Sequence, residues 1–131
     1  MQRMPGSLLI VDDDPRMSRA LTRVLRREGY QVRSAECGAQ CVTMARAERP
    51  DLIILDWVLP DCDGLSVIKQ LRAAGETCPV IILTGKPDSA SPVEALDAGA
   101  DDYVMKLGNT EELLARVRAL LRRFNPTAGA G

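Results

Sequence analysis

Short apolar runs alternate with amphipathic segments five times along the sequence, and this alternation limits the chain to a few architectures. The apolar runs cover residues 7–11, 30–35, 52–55, 80–83 and 103–105. Runs of this length are typical of strands. Strands that alternate with helices predict a parallel sheet with helices on both faces. Five such units with right-handed crossovers favour a doubly wound α/β fold with strand order 2-1-3-4-5 and five flanking helices.

Capping residues mark the ends of the first three predicted helices. Asp14 is a typical N-cap, Pro15 suits the first helical position, and Gly29 suits the position after the last turn. A weaker amphipathic helix ends before Pro50, and a third helix ends near Gly75. These signals predict one helix after each of the first three strands.

The last two predicted helices begin differently. The segment 91–94, Ser-Pro-Val-Glu, is a capping box with proline at the first helical position. It predicts a short fourth helix that begins at Pro92 and ends at Gly99, after a long mobile loop. Asn109 or Thr110 caps the last helix, and Leu113, Val117, Leu120 and Phe124 line one of its faces.

The length of 131 residues predicts one domain, which we assign to residues 7–124 with flexible ends at 1–6 and 125–131. Lys+Arg 17 against Asp+Glu 18 gives a net charge of -1, which argues against a basic nucleic-acid-binding domain. No apolar run approaches the ~20 residues of a membrane span. The N-terminal segment has no signal-peptide cleavage site. We therefore expect a cytoplasmic protein without direct contacts to nucleic acid or membrane.

The absence of histidine and the spacing of the cysteines exclude several kinds of site. Without histidine the chain has no Ser/His/Asp or Cys/His nucleophile and no His-based zinc site. Cys37 and Cys41 share one helix face, whereas Cys62 and Cys78 stand alone. This spacing indicates neither a zinc knuckle nor a redox pair. We interpret the four thiols as small, half-buried residues in a reducing compartment.

Polar residues follow four of the predicted strands. Asp12 and Asp13 follow the first strand and Asp56 follows the third, which is its neighbour in the order 2-1-3-4-5. Three carboxylates in one pocket repel each other at neutral pH, and Mg²⁺ relieves that repulsion with about six oxygen ligands, several of them water. Thr84 and Lys106 end the fourth and fifth strands and can bind phosphoryl oxygens. The set predicts phosphoryl transfer at this edge of the sheet.

Five segments together resemble the receiver domains of response regulators in bacterial two-component signalling. The resemblance covers residues 8 to 123, nearly the whole chain. It is carried by LLIVDDDP at 8–15, PDLIILD at 50–56, LPDCDGL at 59–65, VIILTG at 80–85 and AGADDY at 98–103. As a set these motifs are highly specific for the family.

The resemblance implies a phosphorylatable signalling switch that contains Mg²⁺. Asp56 would accept a phosphoryl group from a sensor histidine kinase or a phosphotransfer protein. Asp12, Asp13 and Asp56 would hold the metal together with the backbone carbonyl of Val58. Apart from Mg²⁺-dependent self-phosphorylation and autodephosphorylation, no enzymatic activity is implied.

The resemblance also implies how the switch would report phosphorylation. Lys106 would pair with the phosphoryl group, and Thr84 would bond it. Tyr103 would change between outward and inward rotamers together with Thr84. The surface of helix 4, strand 5 and helix 5 would then control an effector domain or a separate output protein.

The chain departs from the family pattern at several positions. Leu107 follows Lys106 where most members have proline with a cis peptide, so a trans bond is expected here. Pro87 lies in an unusual loop on the expected output surface, where it either awaits a partner or rigidifies the loop. Trp57 either caps the edge of the pocket or packs against the loop. Lys86 either reaches the phosphoryl group or points to solvent.

The last helix is basic. Its charge is either a solvated face that complements the helix C-terminus or a surface that pairs with Asp101 and Asp102 of another copy. The second interpretation predicts a phosphorylation-dependent homodimer. The basic residues are Arg116, Arg118, Arg122 and Arg123.

Two other functions compete with the switch. The departures at Leu107, Pro87 and Pro92 suit an atypical receiver that acts as a phosphorylation-independent protein-docking module. An FMN-binding flavodoxin-like protein would need small and hydroxyl residues after the first strand to bind phosphate. The acidic run at residues 12–14 has the wrong charge for that ligand.

Overall fold

The computed structural model describes residues 6–85, 92–106 and 110–124, which form one sheet between two helical layers. The strands are β1 (Ser7–Val11), β2 (Gln31–Ala35), β3 (Leu52–Asp56), β4 (Val80–Thr84) and β5 (Asp102–Met105). The helices are α1 (Pro15–Arg27), α2 (Gly38–Glu48), α3 (Gly64–Ala73), α4 (Pro92–Ala98) and α5 (Thr110–Phe124). All paired strands are parallel, in the order β2-β1-β3-β4-β5. The predicted doubly wound fold is confirmed.

The ends of α1 agree with the capping signals in the sequence. Asp14 Oδ1 accepts a hydrogen bond from Arg16 N at 3.0 Å, and Pro15 occupies the first turn. Gly29 has a φ of 99°, a left-handed conformation that glycine adopts without steric cost. The local sequence therefore fixes both ends of this helix.

Several predicted features fall on residues that the structure does not describe. They include the flexible ends at 1–5 and 125–131, the mobile loop with its cap at 86–91, and Asn109 as the cap of α5. Among the helices of the described residues, none is both long enough and apolar enough to cross a membrane.

Each face of the sheet has its own apolar cluster. One face carries Leu9 and Ile53 and is covered by α2, α3 and α4. The other carries Leu8 and Ile54 and is covered by α1 and α5. Because successive strand residues point to opposite faces, strands covered on both sides must be apolar throughout. This explains the unbroken apolar runs of β3 and β4, whose residues are all buried.

Of the four residues that line the apolar face of α5, Phe124 is the one that is not buried. Phe124 is 47% exposed, whereas Leu121 is buried with Leu113, Val117 and Leu120. Phe124 lies in the last turn of α5, beside Pro50 and Pro79 in a shallow groove. The helical period continues to Phe124, but a periodic pattern contains no information about where the covering sheet ends.

The cysteines are free thiols that differ in burial. Cys37, Cys62 and Cys78 are partly buried, in agreement with the interpretation as small half-buried residues. Cys41 is fully buried, and burial raises the pKa of its thiol to about 12. The Cys41 thiol is therefore protonated at neutral pH and packs as a small apolar group.

Candidate functional site

β1 and β3 bring two acidic side chains to the same edge of the sheet. Val11 lies opposite Leu55 in the parallel register, so Asp12 and Asp56 emerge side by side, one residue further along. Asp12 is 3% exposed and Asp56 is 8% exposed. Asp13, by contrast, is exposed at the rim. The structure thus brings together the three carboxylates that the strand order predicts to converge.

The spacing of the three carboxylates suits one small divalent cation. Asp12, Asp13 and Asp56 each place a carboxylate oxygen within 4.8 Å of the other two. Mg²⁺ binds oxygen at about 2.0–2.1 Å, so oxygens on opposite sides of one ion are about 4 Å apart. The donor set contains only oxygen, and the exposure of Asp13 leaves room for water ligands. The residues therefore fit Mg²⁺.

Lys106 lies between the two buried carboxylates. Its Nζ is 2.7 Å from Asp12 Oδ2 and 3.1 Å from Asp56 Oδ2. Its backbone N–H donates to the Thr84 carbonyl at 2.6 Å, which fixes the end of β5 against β4. Burial opposes the positive charge, but the hydrogen bonds and charges of Asp12 and Asp56 outweigh it. The pKa of Lys106 therefore lies above its ordinary value.

Burial has the opposite effect on Asp56. It raises the pKa of the carboxyl, and the charge of Asp12 acts in the same direction. The ammonium of Lys106 and the N–H of Val58 favour the ionised form and oppose the rise. Burial dominates, so the pKa of Asp56 lies above its ordinary value.

Val58 begins the loop that follows Asp56. Its backbone N–H approaches Asp56 Oδ1 at 3.5 Å, and its backbone pairs with that of Asp63 in an isolated antiparallel bridge. The residue therefore lies beside the acidic cluster. That its carbonyl binds the metal stays a prediction.

Thr84 and Tyr103 lie on the same face of the sheet. Thr84 pairs with Met105 across β4 and β5, and Tyr103 is two residues before Met105 on the same strand. Because side chains alternate along a strand, Thr84 and Tyr103 point to the face covered by α2, α3 and α4. Thr84 is 1% exposed, and Tyr103 is partly buried against the apolar cluster of that face. This arrangement is compatible with a coupled movement of the two side chains.

Trp57 packs into the core. It is 5% exposed and belongs to the cluster that α2 and α3 cover. A Cβ at Gly64 would lie 3.1 Å from Trp57 Cε3, so the first residue of α3 lies against the indole. Of the two interpretations of Trp57, a cap at the pocket's edge or packing against the loop, the burial favours packing, and the indole packs in the core beside the start of α3.

Several residues with predicted roles lie elsewhere. Lys86 and Leu107 lie outside the described residues. Asp102 pairs with Arg116 of the same chain at 3.0 Å, and Asp101 pairs with Arg72 of the same chain at 3.2 Å. The two acids proposed to meet another copy therefore have partners within the chain.

The sequence analysis missed Asp61. Its carboxylate accepts hydrogen bonds from the backbone N–H groups of Gly38 at 2.8 Å and Ala39 at 3.0 Å. These hydrogen bonds lower the pKa of Asp61. The only signal in the sequence is that α2 begins at Cys37-Gly38 without a Ser, Thr, Asp or Asn to cap it.

Known proteins are similar to this chain over most of its length. The family described as the response regulator receiver domain matches residues 8–118. The response regulator MprA of Mycolicibacterium vanbaalenii is 45% identical over 128 residues, which are 98% of this chain and 55% of that protein. The MprA of Mycobacterium tuberculosis is 45% identical over 127 residues, with 97% and 55% coverage. The chain thus spans about half the length of these curated relatives.

Solved structures of receiver domains share the fold. A two-component response regulator from Clostridium difficile superposes with a TM-score of 0.85 at 34% identity, covering 91% of this chain and 98% of that one. A response regulator from Chloroflexus aurantiacus gives a TM-score of 0.83 at 37% identity, with 91% and 99% coverage. The chain therefore belongs to the response regulator receiver domain family of two-component signalling.

Proposed function

We propose that this receiver domain is a signalling switch that accepts a phosphoryl group on Asp56 from a sensor histidine kinase or a phosphotransfer protein. The supporting observation is the Lys106 ammonium, which contacts both Asp12 and Asp56 beside the exposed Asp13. A nucleophilic carboxylate, a cation site and a lysine for the phosphoryl oxygens are recurring parts of phosphoryl transfer.

In the transfer, a carboxylate oxygen of ionised Asp56 attacks the phosphorus of a phosphohistidine. The O–P bond forms as the N–P bond breaks, and its electron pair returns to the imidazole nitrogen. Asp12, Asp13 and Asp56 would hold Mg²⁺ together with the Val58 carbonyl, and the bound ion would neutralise charge on the phosphoryl oxygens. Lys106 binds the same oxygens from the other side. The domain catalyses only its own phosphorylation and the later hydrolysis of the acyl phosphate.

Phosphorylation would shift an existing equilibrium between two states of the domain. Thr84 turns towards the phosphoryl group, and Tyr103 fills the space on the same face. The surface of α4, β5 and α5 then controls an effector domain or an output protein. A homodimer through this surface requires the Arg116–Asp102 pair to exchange partners. We place the domain at residues 7–124 and in the cytoplasm.

Intact-mass measurement after treatment with acetyl phosphate and Mg²⁺ tests the proposal. We expect one phosphate adduct on the native protein and none on Asp56→Asn, because an amide is a far poorer nucleophile. Asp13→Ala should also abolish labelling while the fold survives. Asp51→Asn is the control, since Asp51 binds Ser7 N at the opposite end of the sheet. An adduct that persists on Asp56→Asn, or labelling unchanged by Asp13→Ala, would contradict the proposed site.

The docking-module alternative depends on Leu107, Pro87 and Pro92. Leu107 and Pro87 lie outside the described residues, and Pro92 is the first residue of α4. Efficient labelling of Asp56 by acetyl phosphate would argue against it.

A further inference from the structure

The loop between β3 and α3, residues 57–63, is attached to the N-terminus of α2 by one side chain. Both oxygens of the Asp61 carboxylate are used, one by Gly38 N and the other by Ala39 N. The N-cap residue Cys37 makes no side-chain hydrogen bond to the helix. A carboxylate 23 residues away from Gly38 therefore satisfies two amides that the local sequence leaves unpaired.

The same two elements are also in close steric contact. A Cβ at Gly38 would overlap Cys62 Sγ and lie 2.9 Å from Val67 Cγ2. Neither distance is compatible with normal packing, so a larger residue would displace Cys62 of the loop and Val67 of α3 from their present positions. Glycine at this position lets the helix approach the loop closely enough for Asp61 to reach the amides.

Backbone contacts within the loop couple the position of Asp61 to that of Val58. Leu59 N donates to Cys62 O at 3.1 Å, and the backbone of Val58 pairs with that of Asp63. Asp61 lies in the turn that both pairs enclose. A displacement of Asp61 therefore displaces the backbone on both sides of it, including Val58.

We propose that Asp61 is a positioning residue for the metal site: by holding the loop to α2, it fixes the place of the Val58 backbone carbonyl. The inference rests on the proposed function, in which that carbonyl is a ligand of Mg²⁺. A side-chain ligand can adjust its position by rotating about its torsion angles. The position of a backbone carbonyl is determined by the conformation of its loop. In this scheme neither Asp61 nor Gly38 touches the ion.

Two variants with different charge effects test the proposal on the whole chain. Asp61→Asn removes a negative charge and one good acceptor, whereas Gly38→Ala leaves every charge unchanged and forces the loop away. Calorimetric titration with Mg²⁺ should give affinity about tenfold weaker in both variants, the lower end of what supporting partners of metal ligands typically cost. Cys62→Ala added to Gly38→Ala should recover part of the affinity, because it removes one of the two overlapping groups.

Asp51→Asn is the matched control, since its carboxylate also accepts a backbone N–H but far from the site. It should keep the native Mg²⁺ affinity. Thermal unfolding of every variant without metal separates a loss of folding stability from a loss of Mg²⁺ binding.

The outcomes are distinguishable. Weaker binding by Asp61→Asn with native binding by Gly38→Ala would reduce Asp61 to a nearby charge and overturn the positioning role. Native affinity in both variants would overturn it as well. If the native protein itself does not bind Mg²⁺, the metal site of the proposed function is wrong, and the role of Asp61 falls with it.

Discussion

Lys106 and Asp12 form the shortest ion pair of the acidic site, with Nζ 2.7 Å from Oδ2 and side-chain exposures of 14% and 3%. Burying a carboxylate is costly unless a partner compensates its charge. Lys106 supplies that compensation to Asp12 and, at 3.1 Å, to Asp56. The lysine is therefore a structural partner of the acids before any phosphoryl group arrives.

Lys106→Met should destabilise the metal-free protein by about 2 kcal/mol. Removing one partner of a fully buried pair costs about 3–5 kcal/mol, and partial access of water to this site lowers that figure. Mg²⁺ should restore more stability to the variant than to the native chain, because the cation replaces the missing positive charge. Urea unfolding with and without Mg²⁺ measures both effects. Equal free energies of unfolding for the two proteins without Mg²⁺ would contradict the compensating role.

The stability of the native protein relative to Asp56→Asn should fall as the pH rises. The pKa of Asp56 is higher in the folded state than in the unfolded chain, chiefly because of burial. Its contribution is therefore fully present below the unfolded pKa of about 3.9 and is lost as the pH rises through the folded pKa. Urea unfolding without metal, at a series of pH values that begins below about 3.9, measures the free energy of unfolding of both proteins. If the native protein instead became more stable relative to Asp56→Asn as the pH rises, the raised pKa of Asp56 would not be the cause.

Arg72→Met should destabilise the domain by about 2–3 kcal/mol, the cost of leaving buried partners of a charged hydrogen-bond donor unpaired. The guanidinium donates to the carbonyls of Glu76, Cys78 and Gly99 and to the carboxylate of Asp101. Arg72→Lys should recover little, because a single ammonium cannot span four acceptors in this planar arrangement. Denaturant unfolding measures both variants.

Lys69→Met is the control for Arg72, since Lys69 is an exposed cation on the same helix. It should change the free energy of unfolding by less than about 0.5 kcal/mol. A loss as large as that of Arg72→Met would mean that the charge of α3, and not the hydrogen bonds of Arg72, supports the domain.

Trp57 fluorescence should respond to Mg²⁺ and again to a beryllofluoride mimic of the phosphoryl group. The indole is the single tryptophan of the chain, it is buried, and it is adjacent in sequence to Asp56. The second change should require Mg²⁺, because the ion held by the three carboxylates would neutralise the charge of the bound phosphoryl mimic. Asp56→Asn should lose the second change, and Cys62→Ser should keep both. A flat signal in the presence of calorimetrically measured binding would show that the rigid core shields the indole from the site.

The fold and the charged cluster could be predicted from the sequence because both depend on simple periodic rules. Strand length and alternation give the sheet order, and the order places Asp12 beside Asp56. The contacts of Asp61 and Arg72 could not be predicted in this way. The hydrogen bonds of Asp61 to Ala39 and of Arg72 to Gly99 join side chains to backbone groups 22 and 27 residues away, and no pattern in the sequence indicates such a pair.

Two side-chain environments also needed the structure. The helical period continues to Phe124, but only the structure shows that this residue is exposed beyond the sheet. Trp57 directly follows the last residue of β3, and the sequence does not indicate whether its side chain caps the pocket or packs inside the domain. Its burial follows from the closeness of Gly64, which offers the indole a surface without a side chain.

The hydrogen bonds from Arg72 to the Gly99 carbonyl, at 2.6 and 3.3 Å, hold one end of α4 against α3. The other end of α4 is its N-terminal residue Pro92, on the side of the helix that follows β4 and Thr84 in the chain. Ala95, in the middle of α4, is fully buried in the apolar cluster of the same face. Since Arg72 belongs to α3, a displacement of α4 that begins near Thr84 would have to carry α3 with it or break the hydrogen bonds to Gly99.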